Sequence, residues 1–193
     1  MSTISLLAPY FDRYITLERV HPQATYNYKA RNMFGLPVID ATLHRPKCTL
    51  DSWLYVAVPF GASLESLDPG ECLYVGSQTQ DRMFRGDGFG GKNFHHAQMR
   101  AGNGDDNPIT FLRSGKKIDI HRISGEQIDL AVTAVSQLSG LRPLLTQPSK
   151  HVGYWIEQLT LHTQKGHWRW NTAPADGPAV AVIRALENSP RSA

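Results

Sequence analysis

Four residues far apart in the chain could cooperate in hydrolysis. Tyr55 lies in Trp53-Leu54-Tyr55, Tyr74 in Tyr74-Val75-Gly76 and Glu157 in Tyr154-Trp155-Ile156-Glu157-Gln158-Leu159, and Asn171 follows Glu157 by fourteen residues. A glutamate carboxylate can hold a hard cation such as Mg²⁺, which polarises a phosphate and offsets developing negative charge. Phenol hydroxyls can orient a water, and a histidine can exchange a proton near neutral pH. Between Tyr74 and Glu157 come the cations Arg82, Arg85 and Lys92 and the histidines His95 and His96. Arginine adds a planar fork of donors suited to phosphate oxygens. Together these residue types could hold a divalent cation, move a proton and bind a phosphate group. Taken singly, each residue also has an ordinary explanation: strand tyrosines with surface hydroxyls, and a partly exposed helix glutamate.

Trp53–Val58 is nearly all apolar, rich in β-branched and aromatic residues, and stops at Pro59, which predicts a central strand buried on both faces. Glu71–Ser77 follows the turn signal Asp68-Pro69-Gly70 and predicts a second strand, antiparallel to the first. Strand alternation puts Tyr55 on a face with Trp53 and Ala57, and Tyr74 on a face with Cys72 and Gly76. The absent side chain of Gly76 would admit a close approach. Lys117–Ile123 alternates as a third strand, and helices are predicted over Asn93–Arg100, Glu126–Leu138, Ser149–Gln164 and Ala179–Leu186. The 149–164 helix has Val152, Trp155, Ile156 and Leu159 as its core stripe, with Glu157 between Tyr154 and Leu161. Leu6, Leu7, Tyr10, Tyr14 and Leu17 suggest a further short helix over Ser5–Arg19. The expected fold is α+β: a small mixed or antiparallel three-stranded sheet flanked by helices. Residues 1–50 read as an N-terminal arm, 51–175 as the core and 176–193 as a tail.

The order of these motifs over residues 53–171 resembles the GIY-YIG nuclease superfamily, with Trp53 standing where the first motif has its glycine. The resemblance implies hydrolysis of DNA phosphodiesters with one divalent ion, Mg²⁺ or another such as Mn²⁺. Glu157 would be the metal ligand, and Tyr55 and Tyr74 would orient or deprotonate the attacking water. Arg85 would bind the scissile phosphate, His96 would assist proton transfer, and Asn171 would brace the site, with Gly76 structural within it. Arg85 and His96 are eleven apart, so Arg82, Lys92 and His95 stand as alternates. With no zinc finger or long linker to a separate binding domain in view, the chain looks most like a stand-alone type II restriction-type enzyme on double-stranded DNA. Symmetric cutting would favour a homodimer. The alternatives are a non-cleaving nucleic-acid-binding protein on the same scaffold, or a non-specific DNase of toxin or repair type.

Candidate DNA contacts are Lys92, Arg100, Lys116, Lys117, Arg122, Trp168 and Arg169. His167-Trp168-Arg169-Trp170-Asn171 interleaves rings and cations in a way usable for base stacking, though alternating tryptophans equally make core. Gly86–Asn93 approaches a phosphate-binding loop but has Asn93 in place of Ser or Thr, and no buried strand precedes it. His162 and His167 are five apart, the wrong spacing for a helical metal pair. Two cysteines, Cys48 and Cys72, form no C-x-x-C pair, which argues against a cysteine zinc site, and Cys72 reads as strand packing. A net charge of +3 permits a phosphate-rich partner without demanding one. No apolar run is long enough to span a bilayer and no secretory signal opens the chain, so a cytoplasmic protein without membrane association is the expectation.

Overall fold

In a computed structural model of the chain, the structure describes residues 3–20, 39–44, 52–67, 71–77, 108–124, 127–136, 152–163, 168–171 and 177–188. Five strands are seen: β1 Asp12–Val20, β2 Ile39–Leu43, β3 Ser52–Pro59, β4 Tyr74–Ser77 and β5 Ile118–Ser124. They form one sheet in the order β2-β1-β5-β3-β4, every neighbouring pair antiparallel. The helices are α1 Thr3–Leu7, α2 Pro108–Arg113, α3 Gln127–Ser136, α4 Val152–Thr163 and α5 Gly177–Glu187, with a 3₁₀ turn over Ala8–Tyr10. None is long and apolar enough to cross a membrane.

β3 has the buried two-faced character that its apolar run predicts, with Leu54 through Val58 all buried. Leu54, Val56 and Val58 join Val75, Ile123, Trp155, Ile156, Leu159 and Ile183 in a core beneath α4 and α5. Tyr55 and Ala57 point the other way, into a second cluster with Leu73, Tyr74, Phe111, Leu112, Ile120 and Trp170. The sheet is thus the middle layer, and β3 is where both cores meet the edge strand β4.

Two expectations are corrected. The sheet has five strands, not three, and Ser5–Arg19 is not one helix. Helix α1 ends at Leu7, just before Pro9, and Asp12–Val20 is a strand between β2 and β5. Tyr14, Ile15, Thr16 and Leu17 are all buried, as an inner strand requires and a one-faced helix does not. The helical spacing of Leu7, Tyr10, Tyr14 and Leu17 was coincidental. The second strand is also shorter than Glu71–Ser77. Cys72 therefore escapes the alternation and packs with the α4 core, away from Tyr74. Helix α2, which packs on β1, was not foreseen.

A buried carboxylate ties β1, β5 and the turn after β3 together. Asp119 accepts hydrogen bonds from Arg13 Nη2 (2.9 Å) and Thr16 Oγ1 (2.6 Å) at one oxygen, and from the Gly61 N–H (3.0 Å) at the other. Burial alone would raise its pKa, but these donors outweigh burial and hold it below the ordinary 3.8. The sign follows: Asp119 contributes stability above its ordinary pKa and loses it as pH falls through the lower folded value. Asp119→Asn is expected to cost about 2 kcal/mol at pH 7 by urea denaturation, the range for hydrogen bonds to a charged group. The difference from wild type should narrow as the medium is made acidic.

Candidate functional site

β3 and β4 pair with Tyr55 opposite Gly76 and Ala57 opposite Tyr74. The two tyrosines therefore stand diagonally on one face, within reach of each other. Their rings stack at 5.8 Å between centroids and 27° between planes. The Tyr55 ring lies over Gly76 so closely that an added Cβ would overlap its Oη and Cζ atoms. Both tyrosines are buried, at 3% and 8% exposure.

Ser77 ends β4 and points to the opposite face, where α4 packs. Trp155, Ile156 and Leu159 anchor α4 in the core. Glu157, on the same helix, is half-buried and reaches the end of β4. The Ser77 hydroxyl donates to Glu157 Oε2, and the Ser77 backbone donates to the same carboxylate. Burial pushes the Glu157 pKa up to about 7, against the pull of both Ser77 bonds. Tyr74 is pushed up to about 12 by burial and then by the nearby Glu157 carboxylate, with a hydrogen bond from Tyr55 acting in the other direction. A phenol of that pKa keeps its proton at neutral pH. It can donate a hydrogen bond but cannot serve as a base.

Asn171 clamps β4 from its outer side. Its Oδ1 accepts from the Val75 N–H and its Nδ2 donates to the Val75 carbonyl, both at 2.8 Å. Trp170 N–H to Leu73 O (2.8 Å) and Arg169 N–H to Cys72 O (3.1 Å) extend the seal along the chain leading into β4. The side-chain amide thus satisfies an edge-strand residue as a neighbouring strand would. This segment is not a regular strand, and its two tryptophans part: Trp168 packs in the α4 core and Trp170 in the tyrosine cluster, where it meets Phe111 edge-on at 5.6 Å.

Tyr55, Tyr74, Gly76, Glu157 and Asn171 are thereby brought together around one short strand. Arg82, Arg85, Lys92, His95, His96 and Arg100 lie outside the described residues, as do His167, Cys48 and the predicted helix Asn93–Arg100. Lys116, Lys117 and Arg169 are exposed. Lys116 Nζ and Arg169 Cζ lie 5.2 and 5.7 Å from the Phe111 ring centroid, so the two cations share one surface. Two expected DNA contacts are placed elsewhere. Arg122 is 6% exposed with its guanidinium 3.7 Å from the Tyr14 ring centroid, and Trp168 is 5% exposed in the core. Neither is a surface side chain, because β5 is an inner strand and Trp168 fills the core beneath α4. Cys72 is buried and reduced. Among the described residues, no three His, Cys, Asp or Glu side chains group as a metal site. The residue that sequence reasoning passed over is Ser77. Its one signal was position, a hydroxyl directly after Gly76 and on the face opposite the tyrosines.

No protein-family model matches the chain, and no curated protein or solved structure matches it.

Proposed function

We propose that the chain is a divalent-metal-dependent endonuclease that hydrolyses phosphodiester bonds of double-stranded DNA, in the manner of GIY-YIG nucleases and of their stand-alone restriction-type members. One observation carries the reading. Five residues picked out by motif order, Tyr55, Tyr74, Gly76, Glu157 and Asn171, are separated by up to 116 positions yet meet around β4.

The residues fit Mg²⁺ or Mn²⁺. Zinc sites draw three or four nitrogen, sulfur or carboxylate ligands from the protein, and the described residues hold no such group. Mg²⁺ keeps several waters and is bound by one or two carboxylates plus substrate phosphate oxygens, so a single carboxylate at Glu157 suits it. When bound, the ion supplies Lewis-acid polarisation of the phosphate and charge compensation for the pentacovalent centre. Tyr74 accepts from Tyr55 and has its own proton to donate, which suits it to orienting the attacking water or a phosphate oxygen. Removal of the water's proton falls to another group. His96 or His95 is suited to it by residue type, and Arg85, Arg82 or Lys92 to holding the scissile phosphate. Lys116 and Arg169 would hold the backbone of the duplex beside the site. Cutting both strands of a symmetric sequence calls for two such sites, supplied by a homodimer.

Purified protein incubated with plasmid and Mg²⁺, beside a Glu157→Ala control, tests the reading. Discrete fragments that disappear in the control support a restriction-type enzyme, and a smear supports a non-specific nuclease. A plasmid left intact but retarded on the gel by both proteins sinks the enzyme reading in favour of a binding protein. Tyr74→Phe is expected to slow cleavage about 10²-fold, the effect of deleting one preorganised donor. Duplex affinity without metal and the melting temperature should stay close to wild type.

A further inference from the structure

Ser77 has no part in the residue set from which the nuclease reading was built, yet it hydrogen-bonds the carboxylate on which that reading depends. Its hydroxyl donates to Oε2 of Glu157 and its backbone donates to the same carboxylate. A glutamate side chain has three rotors, and fixing them costs conformational entropy. A lone carboxylate ligand must meet that cost at the moment of metal binding unless the protein meets it beforehand. Ser77 is well placed to do so because its own position is fixed. The preceding residue, Gly76, lies under the Tyr55 ring, and the one before that, Val75, is clamped by Asn171 at both its N–H and its carbonyl.

We propose that Ser77 is a positioning residue: it holds Oε2 of Glu157 with its hydroxyl and leaves Oε1 turned toward a divalent cation. The inference rests on the nuclease reading and deepens it. A hydroxyl bonded to an ionised carboxylate is a charge-assisted contact, stronger than a neutral one, so it also favours the charged form that binds metal. Tyr55 and Asn171 then act on the cation through β4. They set the strand, the strand sets Ser77, and Ser77 sets Glu157.

The test uses Mn²⁺ alone, titrated into the DNA-free full-length protein, with bound metal read from loss of the free aqua-ion signal in electron paramagnetic resonance. Ser77→Ala is expected to weaken Mn²⁺ binding about 10–100-fold, the cost of deleting a partner that orients a ligand. Ser77→Thr, which keeps the hydroxyl, should bind as wild type does. In cleavage assays, Ser77→Ala should need correspondingly more Mg²⁺ and recover most of its rate at saturation. Ser77 is only half-buried, so trimming it should leave the fold intact, which circular dichroism checks. An affinity of Ser77→Ala within about threefold of wild type overturns the proposal, being less than 1 kcal/mol. So does a Ser77→Thr variant as weak as Ser77→Ala. Both of those outcomes leave the nuclease reading standing, provided wild-type binding is lost in Glu157→Gln. Wild-type binding that survives Glu157→Gln sinks the nuclease assignment and this inference together.

Discussion

If the chain is the nuclease proposed above, Glu157→Gln is expected to destroy cleavage, and in either case to make the metal-free protein more stable above neutral pH. The wild-type carboxyl titrates at about 7 in the folded chain against an ordinary 4.5, with burial the dominant cause. A raised folded pKa means that stability is fully present below the unfolded value and is lost as pH rises through the folded one. Above pH 7 the fold therefore carries an ionised carboxylate that it has incompletely solvated. Because Glu157 is only half-buried, the full shift overstates the cost, and on the order of 1–2 kcal/mol is the reasonable size. Glutamine keeps the oxygen that accepts from Ser77 and removes the charge. Its melting temperature should exceed that of wild type by a few degrees at pH 8 and match it near pH 4.5. Adding Mg²⁺ at pH 8 should raise the melting temperature of wild type alone. Metal-assisted stabilisation of the phosphate is worth several kcal/mol, so losing the ligand should lower the cleavage rate at least about 10³-fold. A variant that cuts plasmid at wild-type speed would remove Glu157 from the chemistry. A variant no more stable than wild type at pH 8 would mean that water reaches the carboxylate freely.

What the sequence made readable divides along a physical line. Leu54–Val58 announced a two-faced buried strand because every residue in it is apolar, and no competing period exists in so short a run. Helix α4 was readable because Trp155, Ile156 and Leu159 repeat at helical spacing and commit one side to the core. Strand β1 was not, because Leu7, Tyr10, Tyr14 and Leu17 mimic a helical stripe. Only Pro9 and the β-branched pair Ile15-Thr16 pointed the other way, and the decisive fact, two strand neighbours, is tertiary. The same holds for Arg122. In a lysine-bearing strand it reads as a phosphate contact, but β5 lies between β1 and β3, and the cation is buried against Tyr14. Within the site, residues of unusual type for their setting could be found by order along the chain: phenols on strands, a glutamate on an apolar helix, a distant asparagine. How they meet could not. Asn171 works through the backbone of Val75, and Ser77 works through a carboxylate 80 positions away. Neither relation leaves a trace in spacing or composition.

Gly76→Ala is expected to be the most damaging single-methyl change in the described structure. The reason is space, not backbone freedom, since Gly76 sits within strand β4 opposite Tyr55 and has no positive φ. A Cβ there would overlap Oη and Cζ of Tyr55 and lie 2.8 Å from its Cε1. The ring has little room to retreat, being 3% exposed and stacked on Tyr74. Either β4 leaves β3 or the tyrosine pair is forced apart, and both outcomes move Ser77 away from Glu157. A loss of about 3 kcal/mol or more, at the upper end of overpacking costs, should appear in urea denaturation. Cleavage should fall with it even under conditions where the variant is folded. A double-mutant cycle isolates the cause. In a Tyr55→Ala background, which has no ring, adding Gly76→Ala should cost almost nothing, giving a coupling of about 3 kcal/mol or more between the two positions. Tyr55→Phe should not relieve the clash, because the ring carbons that overlap the new methyl remain. If the two substitutions instead prove additive, Gly76 is not there to seat Tyr55, and the packing that joins the tyrosines to β4 is not what holds the site together.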